Sequence, residues 1–389
     1  MIWKMKIKRI FLSRKNQKHP RALGLIKSFQ PEEILEISDL LEANHYLEQF
    51  ADPFSEGKQS LFLTNFPGRF FEPCPCAKGY VNCGYWILSP VVGCPLDCSY
   101  CILQGYLNSY PIQVYLNLED LFQEVERWEK RKVKARLRLG TGELADSLAL
   151  EPELGYAKSL IEFFSSHTRC VFELKTKTDR VEPILNFKPS ENIVISWSVN
   201  PKSAVENEEK GSASLEERLK AAGMLAEKGW RVGFHFDPIL PEYGINDYLA
   251  LVEQIFSAVP AGKIAWISLG MLRFPPKLKP IIKDRHPDSR ILCGEMFPGK
   301  DNKLRYLRPI REKFYRALSR RIRDHSPKTP VYLCMESETL WEKILTGRVG
   351  RGSRPSPSTN RTGGFPASGF PEDSRLELAS APSRLGSSA

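Results

Sequence analysis

The chain has 389 residues and a hydrophobic share of 42%, which indicates a folded protein with a sizeable core. It contains no run of about 18 or more apolar residues, so we predict no membrane span. The opening segment MIWKMKIKRIFL lacks the apolar stretch and cleavage site of a secretion signal, so we expect a cytoplasmic protein. Nine cysteines in such a protein favour metal ligation or free thiols over a disulfide framework.

The formal net charge of +10 is unevenly placed along the chain. Residues 1–30 carry nine Lys and Arg and no acid, and residues 300–328 carry eleven against three acids. A basic segment of this kind attracts phosphate backbones, so we predict contacts with nucleic acid, DNA more than RNA, in the second segment. A solvated helix face fits the same residues equally well. The candidate contact residues are Arg305, Tyr306, Arg308 and Arg311.

Three segments follow from the pattern of the chain. Residues 1–83 read as a small irregular N-terminal lobe with a basic start, and residues 84–346 as the main domain with a helical, basic C-terminal part. Residues 347–389 are rich in Gly, Ser, Pro and Arg without apolar periodicity. Such a composition cannot bury enough surface to fold, so we predict a disordered tail.

From residue 84 onward, apolar strands alternate with helices. Strands are predicted at 85–93, 135–142, 170–178, 192–200, 230–240 and 263–274. Helices are predicted at 118–131, 154–164, 215–229, 246–259 and 277–285, with a short one ending near Phe187. This alternation favours a parallel α/β sheet with crossover helices. Six units are too few for a closed eightfold barrel, so we predict a partial (β/α)6 barrel.

The stretch GCPLDCSYC places Cys94, Cys98 and Cys101 in one loop after the first strand of this series. An iron–sulfur cube normally takes four thiolates, so three ligands leave one iron open for a reacting ligand. Carboxyl ends of α/β strands are also where such sheets bind ligands. A zinc loop completed by a distant Cys or His, or three unconnected core cysteines, are the alternatives. Zinc loops favour paired C-x2-C units, and no second pair follows here.

This loop, with Tyr100 in its aromatic place, resembles the cluster motif of the radical S-adenosylmethionine enzymes. The resemblance implies that Cys94, Cys98 and Cys101 hold a [4Fe-4S] cluster, with S-adenosylmethionine chelating the fourth iron. It further implies reductive cleavage of that cofactor to a 5′-deoxyadenosyl radical, which takes a hydrogen atom from the substrate.

From Tyr85 to about Tyr332 the chain is similar to the spore photoproduct lyase family, radical enzymes that reverse a thymine-dimer lesion in DNA. The resemblance rests on GCPLDCSYCILQ and VYLNLEDLF, and on later segments in the same order. Those segments are ADSLALEPELGYAKSLIEFF, KTKTDRV, ISWSVNP, ERLKAAGMLAEKGWRVGFHFDPI and LRFPPKLKPIIKDRHP. A carbon–carbon lyase, an external electron donor such as flavodoxin or ferredoxin, and a monomer or weak dimer are the matching expectations.

The segment GTGE at 140–143 ends the second predicted strand. Gly140 and Gly142 let backbone amides approach a ligand, and Glu143 adds a carboxylate. The resemblance implies that this segment holds the ammonium of S-adenosylmethionine. A plain strand-ending turn is the alternative. By the same resemblance Lys177 meets the cofactor carboxylate and Ser198 its ribose, with Asn200 nearby, although each could be an ordinary strand-end polar residue.

Two positions depart from the resembled lyase. Its hydrogen-donating cysteine lies three residues before the aspartate that corresponds to Asp146, and this chain has Glu143 there. Ile102 replaces a tyrosine that follows the lyase's cluster. Because a carboxyl O–H is a poor hydrogen-atom donor, the resemblance carries over the scaffold and the initiating chemistry more firmly than the substrate.

The remaining cysteines and one strand motif leave several options. Cys74, Cys76 and Cys83 could form an auxiliary metal or cluster site, quench a radical, or be free thiols in a loop over the barrel mouth. Cys170, Cys293 and Cys334 are expected in the core. His235 and Asp237 would point into the pocket if Phe234 and Phe236 point outward, and a buried, satisfied histidine fits equally well.

Three function hypotheses remain at this point. The first is a radical S-adenosylmethionine enzyme of the spore photoproduct lyase type acting on nucleic acid. The second keeps the radical chemistry and directs it at a peptide, an RNA base or a small molecule. The third is a non-enzymatic nucleic-acid-binding protein with a structural metal cluster.

Overall fold

A computed structural model describes residues 6–76, 79–130 and 137–346. The predicted disordered tail at 347–389 lies outside the described residues, as do the first two residues of the strand predicted at 135–142. Among the helices that are described, none has the length and apolar character needed to cross a membrane.

The described residues form strands and helices that alternate along most of the chain. The strands are β1 (Arg9–Ser13), β2 (Glu33–Ile37), β3 (Ser60–Thr64), β4 (Phe71–Pro73), β5 (Tyr85–Leu88), β6 (Val91–Val92), β7 (Asp97–Cys98), β8 (Ile112–Tyr115), β9 (Leu137–Gly140), β10 (Cys170–Thr176), β11 (Ile193–Ser198), β12 (Glu209–Lys210), β13 (Arg231–Ile239), β14 (Ile264–Met271), β15 (Arg273–Phe274), β16 (Phe297–Pro298), β17 (Leu304–Arg305) and β18 (Val331–Leu333). The helices are α1 (Pro20–Phe29), α2 (Leu40–Leu47), α3 (Pro53–Lys58), α4 (Leu103–Tyr106), α5 (Leu118–Glu129), α6 (Tyr156–Ser166), α7 (Glu182–Leu185), α8 (Lys202–Glu208), α9 (Leu215–Glu227), α10 (Ile245–Ala258), α11 (Leu278–Arg285), α12 (Arg308–His325) and α13 (Glu338–Trp341).

The main sheet has eight strands in the order β18-β14-β13-β11-β10-β9-β5-β4. Its strands run parallel from β5 to β18, and β4 pairs antiparallel with β5 at one edge. The prediction of a partial parallel α/β barrel is therefore confirmed. The edge strands β4 and β18 are additions to the six predicted units.

Side-chain alternation sets the two faces of the main sheet. Phe234 and Phe236 of β13 are fully buried in the large core beneath the helices. His235, between them, turns to the other face, where its ring nitrogens bond to Ser268 Oγ at 2.6 Å and Glu173 Oε1 at 2.7 Å. Because successive strand residues alternate, Asp237 also points to that inner face. It lies at the strand's carboxyl end, where it lines a cavity.

A second sheet, in the order β2-β1-β3-β8-β6, makes the N-terminal lobe more regular than the sequence predicts. Strands β1, β2, β3 and β8 are parallel, and β6 joins antiparallel to β8. In β2 the exposed positions are Ile34 and Glu36, whereas Glu33 and Leu35 are partly buried and Ile37 is buried. Apolar and charged residues therefore occur on both faces, which hides the strand in a hydrophobicity scan. Because β6 and β8 belong to this sheet, it extends past residue 83 and takes in both sides of the cysteine loop.

The strand predicted at 85–93 is two strands in different sheets. β5 belongs to the main sheet and β6 to the N-terminal sheet, and the break falls at Ser89 and Pro90. Pro90 has no N–H to donate to a ladder, while its carbonyl accepts the N–H of Tyr115 at 3.0 Å. The chain thus changes sheet immediately before the cysteine loop.

Two positions near the cysteine loop have room only for glycine. Gly93 adopts φ +102°, and a Cβ there would lie 3.1 Å from the Cα of Ile112. The space at Gly57, near the end of α3, is tighter still. A Cβ there would lie 2.2 Å from the carbonyl oxygen of Tyr110. Both positions exclude larger residues for steric reasons.

We predict that Gly57→Ala lowers the free energy of unfolding by about 1–3 kcal/mol, because the added methyl forces α3 away from Tyr110. Gly24 of α1 is the matched control, since it is exposed in a helix with nothing within 4 Å of a built Cβ. Gly24→Ala should raise the stability by about 0.5–1 kcal/mol, because alanine is the better helix former. Thermal and urea unfolding midpoints test both; equal shifts in the two variants would contradict the steric argument.

Candidate active site

A cavity of about 340 Å³ opens at the carboxyl edge of the main sheet. Cys94, Cys98 and Cys101 line it together with residues from the ends of the parallel strands, as the sequence predicts for a site in a sheet of this kind. The lining also includes Cys74, Tyr100, Gly142, Glu143, Asp146, Lys175, Lys177, Ser198, Asp237, Arg273 and Lys303.

The outer side of the cysteine loop is held by polar side chains from other elements. Lys58 of α3 donates to the carbonyl oxygen of Cys94 at 3.3 Å and also to that of Leu96. Gln104, which is buried, donates its amide to the carbonyl of Cys98 at 3.2 Å. Arg285 of α11 donates to the Gln104 side chain. The loop's carbonyl groups are therefore satisfied from outside, and its conformation does not depend on the thiols alone.

The inner side of the loop pairs with the two residues after α8. β7 and β12 form a short antiparallel ladder in which Cys98 faces Glu209. Glu208, fully buried, accepts hydrogen bonds from Tyr243 Oη at 2.6 Å, Ser289 Oγ at 2.6 Å and the hydroxyl of Ser99. This carboxylate thus ties the loop to segments far apart in the sequence.

Glu209 is the centre of a second buried network. Its Oε1 accepts from Lys177 Nζ at 3.1 Å and Asn200 Nδ2 at 2.8 Å, and it also accepts from the hydroxyl of Tyr100. Its Oε2 lies 2.6 Å from Arg218 Nη2, and both of those side chains are buried. Burial alone would raise the pKa of Glu209, but the charges of Arg218 and Lys177 outweigh burial and lower the pKa below its ordinary value.

Asp146 fixes the loop that follows β9. Its carboxylate accepts the N–H groups of Leu148 and Ala149 at 3.0 and 2.9 Å, the Thr176 hydroxyl at 2.7 Å and the N–H of Lys177 at 2.7 Å. These bonds join the 141–150 loop to the end of β10, so that Lys177 and the GTGE segment are held together at the cavity.

The structure separates the predicted cofactor residues into two groups. Tyr100, Gly142, Glu143, Lys177 and Ser198 line the cavity. Gly140 and Asn200 do not line the cavity, so the structure does not bring these two residues to the predicted cofactor site.

Packing keeps Gly140 away from the cavity, and hydrogen bonds within the core do the same for Asn200. A Cβ on Gly140 would lie 2.1 Å from the hydroxyl of Tyr85, so this glycine serves packing inside the sheet. Asn200 is fully buried, donates to Glu209 and accepts the Tyr248 hydroxyl at 2.6 Å. It positions the Glu209 carboxylate and has no exposed group to offer a cofactor.

The cavity has a second, more highly charged region, which we call the charged wall: Glu143, Lys175, Asp237, Arg273 and Lys303. Glu143 pairs with Lys175, and Asp237 pairs with Arg273 at 3.0 Å. Burial alone would raise the pKa of Asp237, but the charge of Arg273 lowers it below its ordinary value.

Of the two options left open for this strand, Asp237 follows the first and His235 the second. Asp237 lines the cavity, whereas His235 is a buried, satisfied histidine held by Ser268 and Glu173. Glu173 also accepts from Arg138 at 3.3 Å and from Ser196. The inner face below the cavity is thus a closed polar network.

All nine cysteines are free thiols. Of the three in the 74–83 loop, Cys74 lines the cavity, and its N–H bonds to the Tyr85 carbonyl at 2.9 Å as a continuation of the β4–β5 ladder. Burial, followed by the charge of Glu143, raises the pKa of Cys74 to about 12.

Cys170 is buried as predicted, but the core prediction for Cys293 is wrong, because it is exposed after a short 3-10 turn.

Three of the four candidate contact residues in the basic segment bond to partners within the protein. Arg305 is buried and pairs with Asp301 at 2.6 Å, and Tyr306 is buried with its hydroxyl 2.6 Å from Glu242. Arg311 pairs with Glu336. Contacts from Arg305, Tyr306 and Arg311 to phosphate would require breaking these bonds. Of the four candidate residues for nucleic-acid contact, this leaves Arg308, which is exposed at the start of α12.

The residues present fit a cluster held by three thiolates. Within residues 6–76, 79–130 and 137–346, no group of three His, Cys, Asp or Glu side chains is arranged to hold a single metal ion. The three loop thiols instead share a cavity with room for a larger group, which suits a cluster that binds each thiolate through a different iron. Burial, followed by the charge of Asp146, raises the pKa of Cys94 to about 12, so loading iron must release its proton.

Sequence reasoning missed the residues that hold the loop and Lys177 in place. Glu208, Glu209, Arg218 and Arg285 lie in helices or at helix ends within segments that look like solvated charged surface. Arg218, at N4 of α9, is fully buried and donates to the Ser198 carbonyl at 2.9 Å. No local sequence signal distinguishes these side chains from exposed ones, because their partners come from distant segments.

A three-cysteine loop at the carboxyl edge of a partial parallel barrel is the arrangement of the radical S-adenosylmethionine proteins. The sequence model of the spore photoproduct lyase family matches residues 84–328. The chain belongs to this family, and its family segment contains the cysteine loop and nearly all of the parallel sheet.

The relatives agree with this assignment, and the solved structures share the fold. The spore photoproduct lyases of Geobacillus sp. (strain Y412MC61) and Bacillus subtilis (strain 168) are each 26% identical over 207 residues, which is 52% of this chain and 61% and 60% of theirs. The chain thus matches about three fifths of their length. A spore photoproduct lyase complexed with dinucleoside spore photoproduct superposes with a TM-score of 0.72 at 20% identity, covering 85% of this chain and 100% of that one. A variant with bound AdoMet and dinucleoside spore photoproduct has a TM-score of 0.70 at 20% identity, with the same coverage. At this identity the likeness shows the fold.

We predict that Glu209→Gln lowers the free energy of unfolding by about 3 kcal/mol at pH 7, because it leaves the buried Arg218 and the partly buried Lys177 without their countercharge. Glu216→Gln is the control, since Glu216 is exposed and pairs only at the surface with Lys202; its effect should stay within about 0.5 kcal/mol.

The stability that the Glu209 carboxylate contributes should change with pH in one direction. A carboxyl group whose folded pKa is lowered stabilises the protein fully above its unfolded pKa of about 4.3 and loses that contribution as the pH falls. The difference between wild type and Glu209→Gln should therefore shrink below that pH. Denaturant melts from pH 7 to pH 3.5 measure this, and a difference that grows on acidification would show that the carboxylate is not stabilised by its neighbours.

Proposed function

We propose that this protein is a radical S-adenosylmethionine lyase that acts on a photolesion in nucleic acid, DNA more than RNA. The observation that carries the proposal is the meeting of three loop thiols, Lys177 and Ser198 in one cavity at the carboxyl edge of the family's barrel. When bound, a [4Fe-4S] cluster and S-adenosylmethionine would supply a 5′-deoxyadenosyl radical that takes a hydrogen atom from the substrate.

The chain's own residues have the following roles in this proposal. Cys94, Cys98 and Cys101 would hold the cluster through their thiolates. Lys177, held by Tyr100 Oη at 3.0 Å and by Glu209, directs its ammonium group to the cofactor carboxylate. Ser198 offers its hydroxyl to the ribose. Gly142 keeps the strand end close to Lys175, because a Cβ there would lie 2.5 Å from the lysine Cβ.

The return of a hydrogen atom to the product radical needs a group other than Glu143. Glu143 carries a carboxylate that is paired with Lys175, and a carboxyl O–H is a poor hydrogen-atom donor. Cys74 is the thiol of the 74–83 loop that lines the same cavity. Of the options that the sequence leaves open for this loop, a radical-quenching thiol is the one that we propose for Cys74.

The Glu143–Lys175 pair favours one alternative. A charged pair in place of a thiol would suit radical chemistry on a different substrate, namely a peptide, an RNA base or a small molecule, in which no hydrogen atom is returned at this position. The two proposals share the cluster and cofactor residues and differ in substrate.

Partners and location complete the proposal. A low-potential one-electron donor such as flavodoxin or ferredoxin would reduce the cluster, and we place the protein in the cytoplasm as a monomer or weak dimer. The exposed Arg308 in the basic segment 300–328 supports contact with phosphate backbones.

We predict that the anaerobically reconstituted protein is brown and binds about four irons per chain, and that Cys98→Ala removes the cluster. Cys293→Ala, at an exposed cysteine outside the cavity, should keep full iron content and colour. Iron analysis and visible absorption measure both variants. A colourless wild type that retains zinc would overturn the radical proposal and its alternative together.

We also predict that the loaded protein, given dithionite, converts S-adenosylmethionine to 5′-deoxyadenosine but repairs dinucleoside spore photoproduct slowly, because Glu143 cannot return a hydrogen atom. Any clean repair to two thymines should be lost in Cys74→Ala and retained in Cys76→Ala. Chromatography of both products distinguishes the outcomes. Rapid repair that persists in Cys74→Ala would exclude Cys74 as the donor, and turnover restricted to a peptide or small molecule would favour the alternative.

A further inference from the structure

The charged wall has one more cation than it has carboxylates. Lys175 is paired with Glu143, and Arg273 is paired with Asp237 through two nitrogen–oxygen contacts of 3.0 and 3.3 Å. Lys303 lines the same cavity, yet no ion pair joins it to a carboxylate in the part of the chain that the structure describes. One positive charge on this wall is therefore without a countercharge.

Lys303 is held in position by a short hairpin. β16 and β17 pair antiparallel, and the connecting turn is closed by the Gly299 N–H to the Lys303 carbonyl at 2.8 Å. Asp301 in the turn pairs with Arg305 at 2.6 Å, and both of those side chains are buried. The backbone of Lys303 is thus anchored on both sides, and its half-buried side chain lines the cavity rather than the outer surface of the hairpin.

The electrostatic setting of this lysine favours an anion. Burial, followed by the nearby charge of Arg273, lowers the pKa of Lys303. A half-buried ammonium beside another cation loses hydration without gaining a partner, so an anion that enters the cavity would restore a favourable interaction. Lys177 bonds to Tyr100 of the cysteine loop and to Glu209, and the proposed function assigns that part of the lining to the cluster and cofactor. Lys303 instead lies near Arg273 on the charged wall.

We infer that Lys303 binds the phosphodiester group of the substrate, with Arg273 adding to the positive field. The inference rests on the proposed function, because it deepens the assignment of a nucleic-acid lesion as substrate. A lesion that joins two adjacent nucleotides carries one phosphodiester between them, and a single unpaired cation matches one such charge. An ammonium group suits this role as a point charge for phosphate.

The test compares two probes that differ in that one group. Dinucleotide spore photoproduct retains the phosphodiester and dinucleoside spore photoproduct lacks it. Dissociation constants are measured calorimetrically with cluster-loaded, full-length protein and S-adenosylmethionine, but without reductant, so that no turnover occurs. The wild type should bind the dinucleotide about tenfold more tightly, as expected for one charge-assisted hydrogen bond. Lys303→Met should abolish that difference and leave dinucleoside binding unchanged.

Lys300→Met is the matched control, because Lys300 is exposed in the same hairpin turn and loses the same charge. It should keep the tenfold preference, and Lys303→Arg, which keeps the charge, should retain most of it. Thermal midpoints confirm that each variant is folded.

The outcomes separate the inference from the proposed function. Equal binding of both probes by the wild type, or an equal loss in Lys300→Met, would overturn the phosphate site and leave the lesion proposal standing. Weakened S-adenosylmethionine binding in Lys303→Met with lesion binding unchanged would also overturn it, by assigning Lys303 to the cofactor. Failure of the wild type to bind either probe would instead reject the lesion as substrate.

Discussion

The candidate site depends on the hydrogen bonds and ion pairs that the buried carboxylate of Glu209 makes. It joins Lys177 beyond β10, Asn200 beyond β11, Arg218 in α9 and Tyr100 in the cysteine loop. Removing a carboxylate from water is costly, and in this protein two cations and several hydrogen bonds offset that cost. Four elements of the barrel therefore meet at one side chain, and the cavity inherits its geometry from that meeting.

Charge in this molecule is organised in two layers. Below the cavity, Glu173 is satisfied by His235, Ser196 and Arg138, so that layer is closed to ligands. At the cavity itself, the pairs are partly exposed and the lining includes Lys303 and three thiols. A closed polar layer under an open one keeps the inner face of the sheet rigid while the residues above remain available for chemistry.

The repeating part of the fold could be predicted from sequence because apolar strands and amphipathic helices alternate with clear periods. The meeting of the three loop cysteines in one cavity could be predicted because their spacing is local. The polar supports could not, since Glu208, Glu209 and Arg218 are indistinguishable in sequence from solvated charges, and burial comes only from distant partners. For the same reason Arg305 and Tyr306 read as a basic surface although they are buried and paired within the fold. The break at Pro90 was readable in principle from its missing N–H.

The change of sheet at Pro90 constrains how this region can vary. β5 ends in the main sheet, whereas β6 and β8 are fixed in the N-terminal sheet on either side of the cysteine loop. Adding or removing a residue between Leu88 and Val91 would shift the register of β6 by one residue, so that Val91 and Val92 would point to the opposite faces of the sheet. Length variation is therefore expected to be tolerated poorly here and more readily at exposed turns elsewhere. The three loop cysteines lie in a segment whose two ends are fixed by the strands β6 and β8, which limits how far they can move relative to the sheets.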